Sequence, residues 1–184
     1  MLLTSEKRHT KEDYERLPEG APYQLIGGEL IMSPSPEYPH QGIVANILER
    51  LRPVVRSRGL GDLILSPMDV HLTEEDIFQP DLIFVRKENL ARLRTDRRIY
   101  FVPDLVIEVL SPSTAYYDYS HKKQVYAERG VKEYWIVDPL DKTIEIMIHD
   151  GKVFQTEAIL RFPALLESPM FPGFSMKIEE VFEL

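Results

Sequence analysis

Two acidic residues stand inside apolar segments. Asp81 lies in Phe78-Gln79-Pro80-Asp81-Leu82-Ile83-Phe84-Val85, and Glu108 in Val102-Pro103-Asp104-Leu105-Val106-Ile107-Glu108-Val109-Leu110. A carboxylate placed in a buried strand costs several kcal/mol unless something pairs with it. Two of them on neighbouring strands repel unless a cation or a proton lies between. A hard divalent ion such as Mg²⁺ suits a cluster of oxygens. Lys122 follows, on what reads as the next helix. An Asp, a Glu and a Lys converging on one ion and one water are the apparatus of metal-assisted phosphodiester hydrolysis.

The elements that must position these groups are legible from hydrophobic period. Strands are expected at about 62–71, 78–85 and 103–110, with a short helix from Asn89 to Arg94 between the last two. Strand alternation puts Asp104, Val106, Glu108 and Leu110 on one face, so Glu108 shares its face with apolar neighbours. Asp81 shares a face with Ile83 and Val85, and Pro80 puts it near the strand's beginning. A helix is expected from about Tyr119 to Arg129, capped by Asp118 and stopped by Gly130. Val125 and Tyr126 then face the sheet, and Lys122, three and four residues earlier, lies on or beside that inward face. Lys123 projects elsewhere.

Upstream, Thr10 to Leu17 reads as a short helix with Thr10 and Asp13 as a capping pair. Tyr23 to Met32 reads as a hairpin turning at Gly27-Gly28. A long helix is expected from His40 to about Arg58, kinked or divided at Pro53. Downstream, strands are expected at 133–138, 143–148 and about 152–158, and a last short element near Lys177 to Phe182. Together these predict one α/β domain over residues 1–184: a mixed central sheet covered by helices on both faces, with an N-terminal β-hairpin. The unit 103–138 should be a parallel strand–helix–strand crossover.

Composition narrows the classes. The chain has 184 residues, 43% hydrophobic and 28% charged, which suits one globular domain with a real core. No apolar run approaches the roughly 20 residues of a membrane span. The N-terminus turns polar too soon for a secretory signal, and there is no cysteine, so disulfides and thiolate zinc sites are excluded and a cytoplasmic setting is expected. The net charge of −8 argues against nucleic acid as a whole-surface sum, but a cleft can be locally positive. Basic residues cluster at Arg50–Arg58 and from Arg86 to Arg98.

Pro80-Asp81 followed by Glu108-Val109-Leu110 resembles the PD-(D/E)xK motif of the restriction-endonuclease-like nucleases. Within that superfamily, Pro103 to Thr114 is similar to the Uma-two family of putative restriction endonucleases. So are Asp118 with Lys122, Gly130 to Pro139, Tyr23 to Leu30, and His40-Gln41. The resemblance runs from about residue 10 to the C-terminus. It implies a restriction-endonuclease-like fold and an endonuclease acting on DNA with Mg²⁺ or Mn²⁺. Asp81, Glu108 and the Val109 carbonyl would hold the ion, and Lys122 would orient or help deprotonate the attacking water. The motif's lysine belongs two residues after the glutamate, where this chain has Leu110, so the role passes to Lys122 on the following helix. Duplex cleavage by single-cut sites implies a homodimer.

Plainer roles stand beside these. Glu108 can be one half of a structural ion pair with Lys122, Asp81 and Asp104 can cap loops, and Asp118 reads as an N-cap. Asp69 can join the acidic cluster. His40, Gln41, Glu29 and Asp118 are candidate substrate or auxiliary residues, with helix-start, N-cap and solvent-exposed roles as the alternatives. Trp135 is expected in the core. Two further readings remain: a lapsed nuclease that binds nucleic acid or a partner without cutting, and an interaction protein whose acidic cluster is an ion-pair network.

Overall fold

The computed structural model describes residues 8–96 and 98–184, the stretch 94–96 in backbone only. The polar start over residues 1–7, Arg97 and the side chain of Arg94 in the second basic cluster lie outside this description. In chain order the elements are α1 (Lys11–Glu15), β1 (Tyr23–Ile26), β2 (Glu29–Met32), α2 (Tyr38–Ser57), β3 (Gly61–Leu65), β4 (Val70–His71), β5 (Ile77–Phe78) and β6 (Leu82–Arg86). A 3₁₀ turn leads into α3 (Leu90–Asp96), then β7 (Leu105–Val109). The next helical stretch is composite: α4 (Ala115–Tyr117), a π-helical turn over Asp118–Lys122, and α5 (Lys123–Arg129). β8 (Glu133–Asp138), β9 (Thr143–His149), β10 (Phe154–Leu160), β11 (Leu165–Glu167), β12 (Ser175–Lys177) and α6 (Ile178–Val181) complete it.

Six strands form the central sheet in the order β10-β9-β8-β7-β6-β3. β7 and β8 are parallel, joined by the helical crossover, and the other pairs are antiparallel. Strand alternation sorts the core into two layers. Leu82, Phe84, Leu105, Ile107, Val109, Trp135 and Val137 face Ile43, Ile47, Leu51 and Val55 of α2 and Ile178 and Val181 of α6. Ile83, Val85, Val106, Tyr134 and Ile136 face Val125 and Tyr126 of α5 and, from a smaller sheet ordered β2-β1-β5-β4, Ile26 and Phe78. This is the expected mixed sheet with helices on both faces, and Trp135 is fully buried within it.

The N-terminal hairpin turns where expected. Gly27 and Gly28 have φ of +57° and +81°, the left-handed pair that a two-residue hairpin turn demands. In α1, Asp13 Oδ2 accepts the Thr10 N–H at 3.1 Å, as the capping pair predicts.

Three expectations change. The single strands expected at 62–71 and 78–85 are each two strands. The chain leaves the central sheet at Ser66-Pro67, builds β4 and β5 of the small sheet, and returns at Pro80-Asp81. Proline lacks the N–H of a ladder and marks both exits, while the apolar residues carry on across them, so the sequence reads as continuous. The third change is α2, which runs undivided through Pro53. Pro53 sits in its last turns, and the acceptor it leaves unpaired belongs to Glu49, a residue on the exposed side.

Candidate active site

Strand register brings the two carboxylates together. Leu82 pairs with Ile107 across β6 and β7, so one step further sets Asp81 opposite Glu108. Asp81 stands at the point where the chain re-enters the central sheet, and its side chain takes over from the ladder. Its Oδ2 accepts the Val109 N–H at 2.7 Å and lies 3.2 Å from His40 Nε2 at the start of α2. Asp81 and His40 are the partly open side of the cluster, with side chains 16% and 13% exposed.

Glu108 points into the layer between the sheet and the composite helix. Lys122 Nζ donates to its Oε1 at 3.1 Å and the Tyr126 hydroxyl to the same oxygen at 2.8 Å. Lys122 Nζ also lies 2.8 Å from Asp118 Oδ1. Asp118, Glu108 and Lys122 are each 3% exposed. The local geometry of the helix makes this possible. Asp118, Lys122 and Tyr126 are spaced by four, and an ordinary helix would drift steadily around its axis over that span. The π turn over Asp118–Lys122 absorbs one extra residue and keeps all three on the face toward Glu108. The Tyr134 hydroxyl donates to the Asp118 backbone carbonyl at 3.1 Å, satisfying an acceptor in that wide turn.

The electrostatics are those of a carboxylate excess. Burial pushes Glu108 up from 4.5 to about 8; Lys122 pulls against this, while Asp118 and Asp81 add to it. Asp118 is also raised, first by burial and then by Asp81, against Lys122. Burial would lower the Lys122 ammonium, but Glu108 and Asp118 outweigh it and hold the lysine above its usual range. Burial likewise opposes charge on His40, yet its hydrogen bond to Asp81, the Asp81 charge and the Val109 backbone leave it raised.

A pH dependence follows for the protein without divalent ions. Between 4.5 and about 8 the folded chain holds a proton on Glu108 that the unfolded chain has released. The folded state then binds more protons, so this group's contribution to stability falls as pH rises through that window. In EDTA, urea unfolding of the parent should lose stability from pH 5 to pH 8 relative to Glu108→Gln. A difference between the two proteins that stays flat with pH would contradict the raised carboxyl.

A family model described as Uma2, putative restriction endonuclease, matches residues 11–179. The chain belongs to the Uma2 family. Among solved structures, a putative nuclease belonging to DUF820 from Anabaena variabilis superposes with a TM-score of 0.80 at 21% identity, over 94% of this chain and 97% of that one. That likeness is one of fold. No curated protein matches the chain.

In this Uma2 chain the structure gathers Asp81, Glu108, Lys122, Asp118 and His40 with the Val109 backbone into one cluster. It corrects the role expected of Asp118, which lies inside the helix and pairs with Lys122 rather than capping the first turn, because the helix begins at Ala115. Gln41 and Glu29 are exposed, on α2 and β2, and neither side chain makes a hydrogen bond or ion pair with the cluster among the described residues. Asp69 belongs elsewhere: its Oδ1 accepts from the Tyr14 hydroxyl and Gln79 Nε2, each at 2.9 Å. Asp104 secures β6 instead, accepting the Arg86 N–H at 3.0 Å and pairing with its guanidinium at 3.2 Å. Leu110, in the usual lysine position, is buried in the core. Tyr126 is the contact that sequence reasoning missed. It was legible only as a sheet-facing residue, although its four-residue spacing from Lys122 was the available signal.

The residues present fit a small divalent ion. Glu108 Oε2 and Asp81 Oδ1 accept no hydrogen bond among the described residues, whereas the other oxygen of each carboxylate is engaged twice. No group of three His, Cys, Asp or Glu side chains that could hold a metal is present among the described residues. The oxygens the cluster leaves without protein donors are then those of two carboxylates, Asp81 and Glu108. Mg²⁺ suits such a set, because it keeps several of its waters and takes one or two carboxylates.

Proposed function

We propose that this chain is a divalent-metal-dependent endonuclease that hydrolyses phosphodiester bonds in DNA. The observation that carries this reading is the opposition of Asp81, at the start of β6, and Glu108, near the end of β7, with Lys122 reaching Glu108 from the composite helix. Three carboxylates against one lysine leave the cluster short of positive charge, and the Uma2 membership gives that shortage a chemical purpose.

Asp81, Glu108 and the Val109 carbonyl would hold Mg²⁺ or Mn²⁺. Bound there, the ion supplies Lewis-acid polarisation of the scissile phosphate and lowers the pKa of water. Lys122 keeps its proton, being held above the usual range by its two carboxylate partners, so its part is to place positive charge beside the phosphate as negative charge builds. His40, on the open side, orients Asp81. A nucleic-acid substrate is supported by the Uma2 membership, and DNA is the substrate proposed; Asp81 and His40, beside the start of α2, are the partly open side of the cluster. The first basic cluster lies on the far half of the same helix, about 15 Å or more along its axis from His40, and Arg50 there is paired with Glu180 at 2.9 Å. Two single-cut sites acting together would break a duplex, and a homodimer is the assembly proposed for that. Among the described residues no helix is long and apolar enough to cross a membrane.

A second reading has one observation in its favour. The Lys122–Glu108–Asp118 contacts satisfy much of the cluster without any ion, as a lapsed nuclease that only binds would require. Plasmid nicking by the purified protein separates the two. Relaxation of supercoiled DNA in Mg²⁺ or Mn²⁺, its absence in EDTA, and its loss in Asp81→Ala are expected. DNA binding without nicking in either metal would favour the lapsed reading and sink the first.

A further inference from the structure

Tyr38 is 73% exposed and Tyr116 76%. Each lies two residues from a member of the cluster: Tyr38 before His40 on α2, Tyr116 before Asp118 on the composite helix. Two such helical residues are about 5.5 Å apart at Cα and about 200° apart around the axis. His40 and Asp118 turn inward, to Asp81 at 3.2 Å and to Lys122 at 2.8 Å, so their tyrosine neighbours turn outward. His40 and Asp118 are also close enough for the Asp118 charge to act on the imidazole. The two rings therefore rise from separate elements beside one site. Tyr38 makes no side-chain hydrogen bond or ring contact among the described residues. The Tyr116 ring meets that of half-buried Tyr117 in a T-shaped contact at 5.8 Å, which steadies it and leaves it open to solvent. A lone exposed aromatic is ordinary on a soluble protein. A pair of them flanking a cluster of buried charge is a surface with a use.

We propose that Tyr38 and Tyr116 are substrate-positioning residues that stack on nucleobases beside the scissile phosphate, and that the site takes a strand whose bases are unpaired there. The proposal rests on the nuclease reading above and narrows its substrate from DNA to unpaired DNA. The charge balance favours that class. Affinity for an intact duplex comes largely from Lys and Arg on phosphates. This chain carries a net charge of −8, and the exposed Glu37 adjoins Tyr38. Arg50 and Arg86 of the basic clusters are tied to Glu180 and Asp104. Lys122 is already held by two carboxylates. A chain poor in free positive charge needs another source of affinity, and base faces supply one, because every base stacks on an aromatic ring whatever the sequence. In a duplex those faces are covered by neighbours about 3.4 Å away, so a tyrosine reaches them only where the strands are open.

The test is binding in EDTA, where no strand is cut. Fluorescence anisotropy follows a labelled single strand, the same sequence as a duplex, and that duplex with a central unpaired bubble. The parent is compared with Tyr38→Ala, Tyr116→Ala, Tyr38→Phe and Tyr116→Phe. Both positions are exposed, so these variants keep the fold. The parent is expected to bind the single strand and the bubble more tightly than the duplex. Each Ala variant should lose about tenfold on the unpaired substrates and little on the duplex. Each Phe variant should keep the parent's affinity, since stacking needs the ring and not the hydroxyl. A duplex bound as tightly as the single strand, Ala variants that bind as the parent does, or Phe variants as weak as Ala would overturn the inference. So would a parent that binds none of these substrates. Plasmid nicking in Mg²⁺ by the same preparation keeps the two readings apart. A parent that nicks but fails the stacking test leaves the nuclease standing without this inference. One that passes the stacking test without nicking keeps the strand-binding surface and loses the nuclease.

Discussion

Lys122→Met is expected to cost about 3–5 kcal/mol of folding stability at pH 8, the range for removing one partner of a buried charge group. Methionine fills the space of the lysine stem, so the loss reports charge rather than volume. Lys122 is the shared partner of Glu108 and Asp118, and without it two carboxylates stand buried side by side. The cost should depend on pH in a definite direction. Burial already raises both carboxyls, and without the lysine they rise further, so at pH 5 the folded protein can protonate them and escape most of the penalty. Urea unfolding at the two pH values measures it. An equal loss at both would mean that lost packing dominates.

Glu108→Gln should behave in the opposite way. Nicking is expected to fall by about a thousandfold or more, since an ion's share of transition-state stabilisation is several kcal/mol and each 1.36 kcal/mol is roughly tenfold. Stability at pH 8 in EDTA should hold or rise. The amide oxygen can still accept from Tyr126 and Lys122, one negative charge leaves a crowded cluster, and Lys122 keeps Asp118 at 2.8 Å. This opposition between activity and stability is expected of a group kept for chemistry. A Glu108→Gln protein as destabilised as Lys122→Met would mark the carboxylate as structural and return the chain to the ion-pair reading.

The parts of the site that follow from strand period were legible in the sequence. Glu108 on an inward face, Asp81 at a strand start after proline, and Lys122 inward with Val125 and Tyr126 are all consequences of alternation and helical spacing. What was not legible depends on local breaks in those periods. The excursion from Ser66 to Pro80 leaves the apolar pattern intact, so one strand was read where there are two on each side. Asp118 looked like a cap because aspartate favours helix starts, but the helical stretch begins at Ala115, which puts Asp118 inside it, four residues before Lys122 and on the same face, in a π turn that no propensity announces. The basic clusters read from sequence as solvated faces, and the pairing of Arg50 with Glu180 and of Arg86 with Asp104 was not legible there, being set by tertiary contact between residues distant in sequence. The Uma2 membership names the fold and the broad class. The roles of the individual residues rest on geometry and await the experiments above.

The wide turn at Asp118–Lys122 also says how this segment can and cannot drift over generations. Its contribution is one of phase: a single surplus residue sets the angular offset between what lies before it and what lies after. A deletion there would restore an ordinary helix with Asp118 three residues before Lys122 and about 60° from it around the axis, although every side chain of the cluster would still be encoded. The two would stay neighbours, but the carboxylate would meet the ammonium from another side, so a change of length in this stretch reshapes the cluster without removing any of its members.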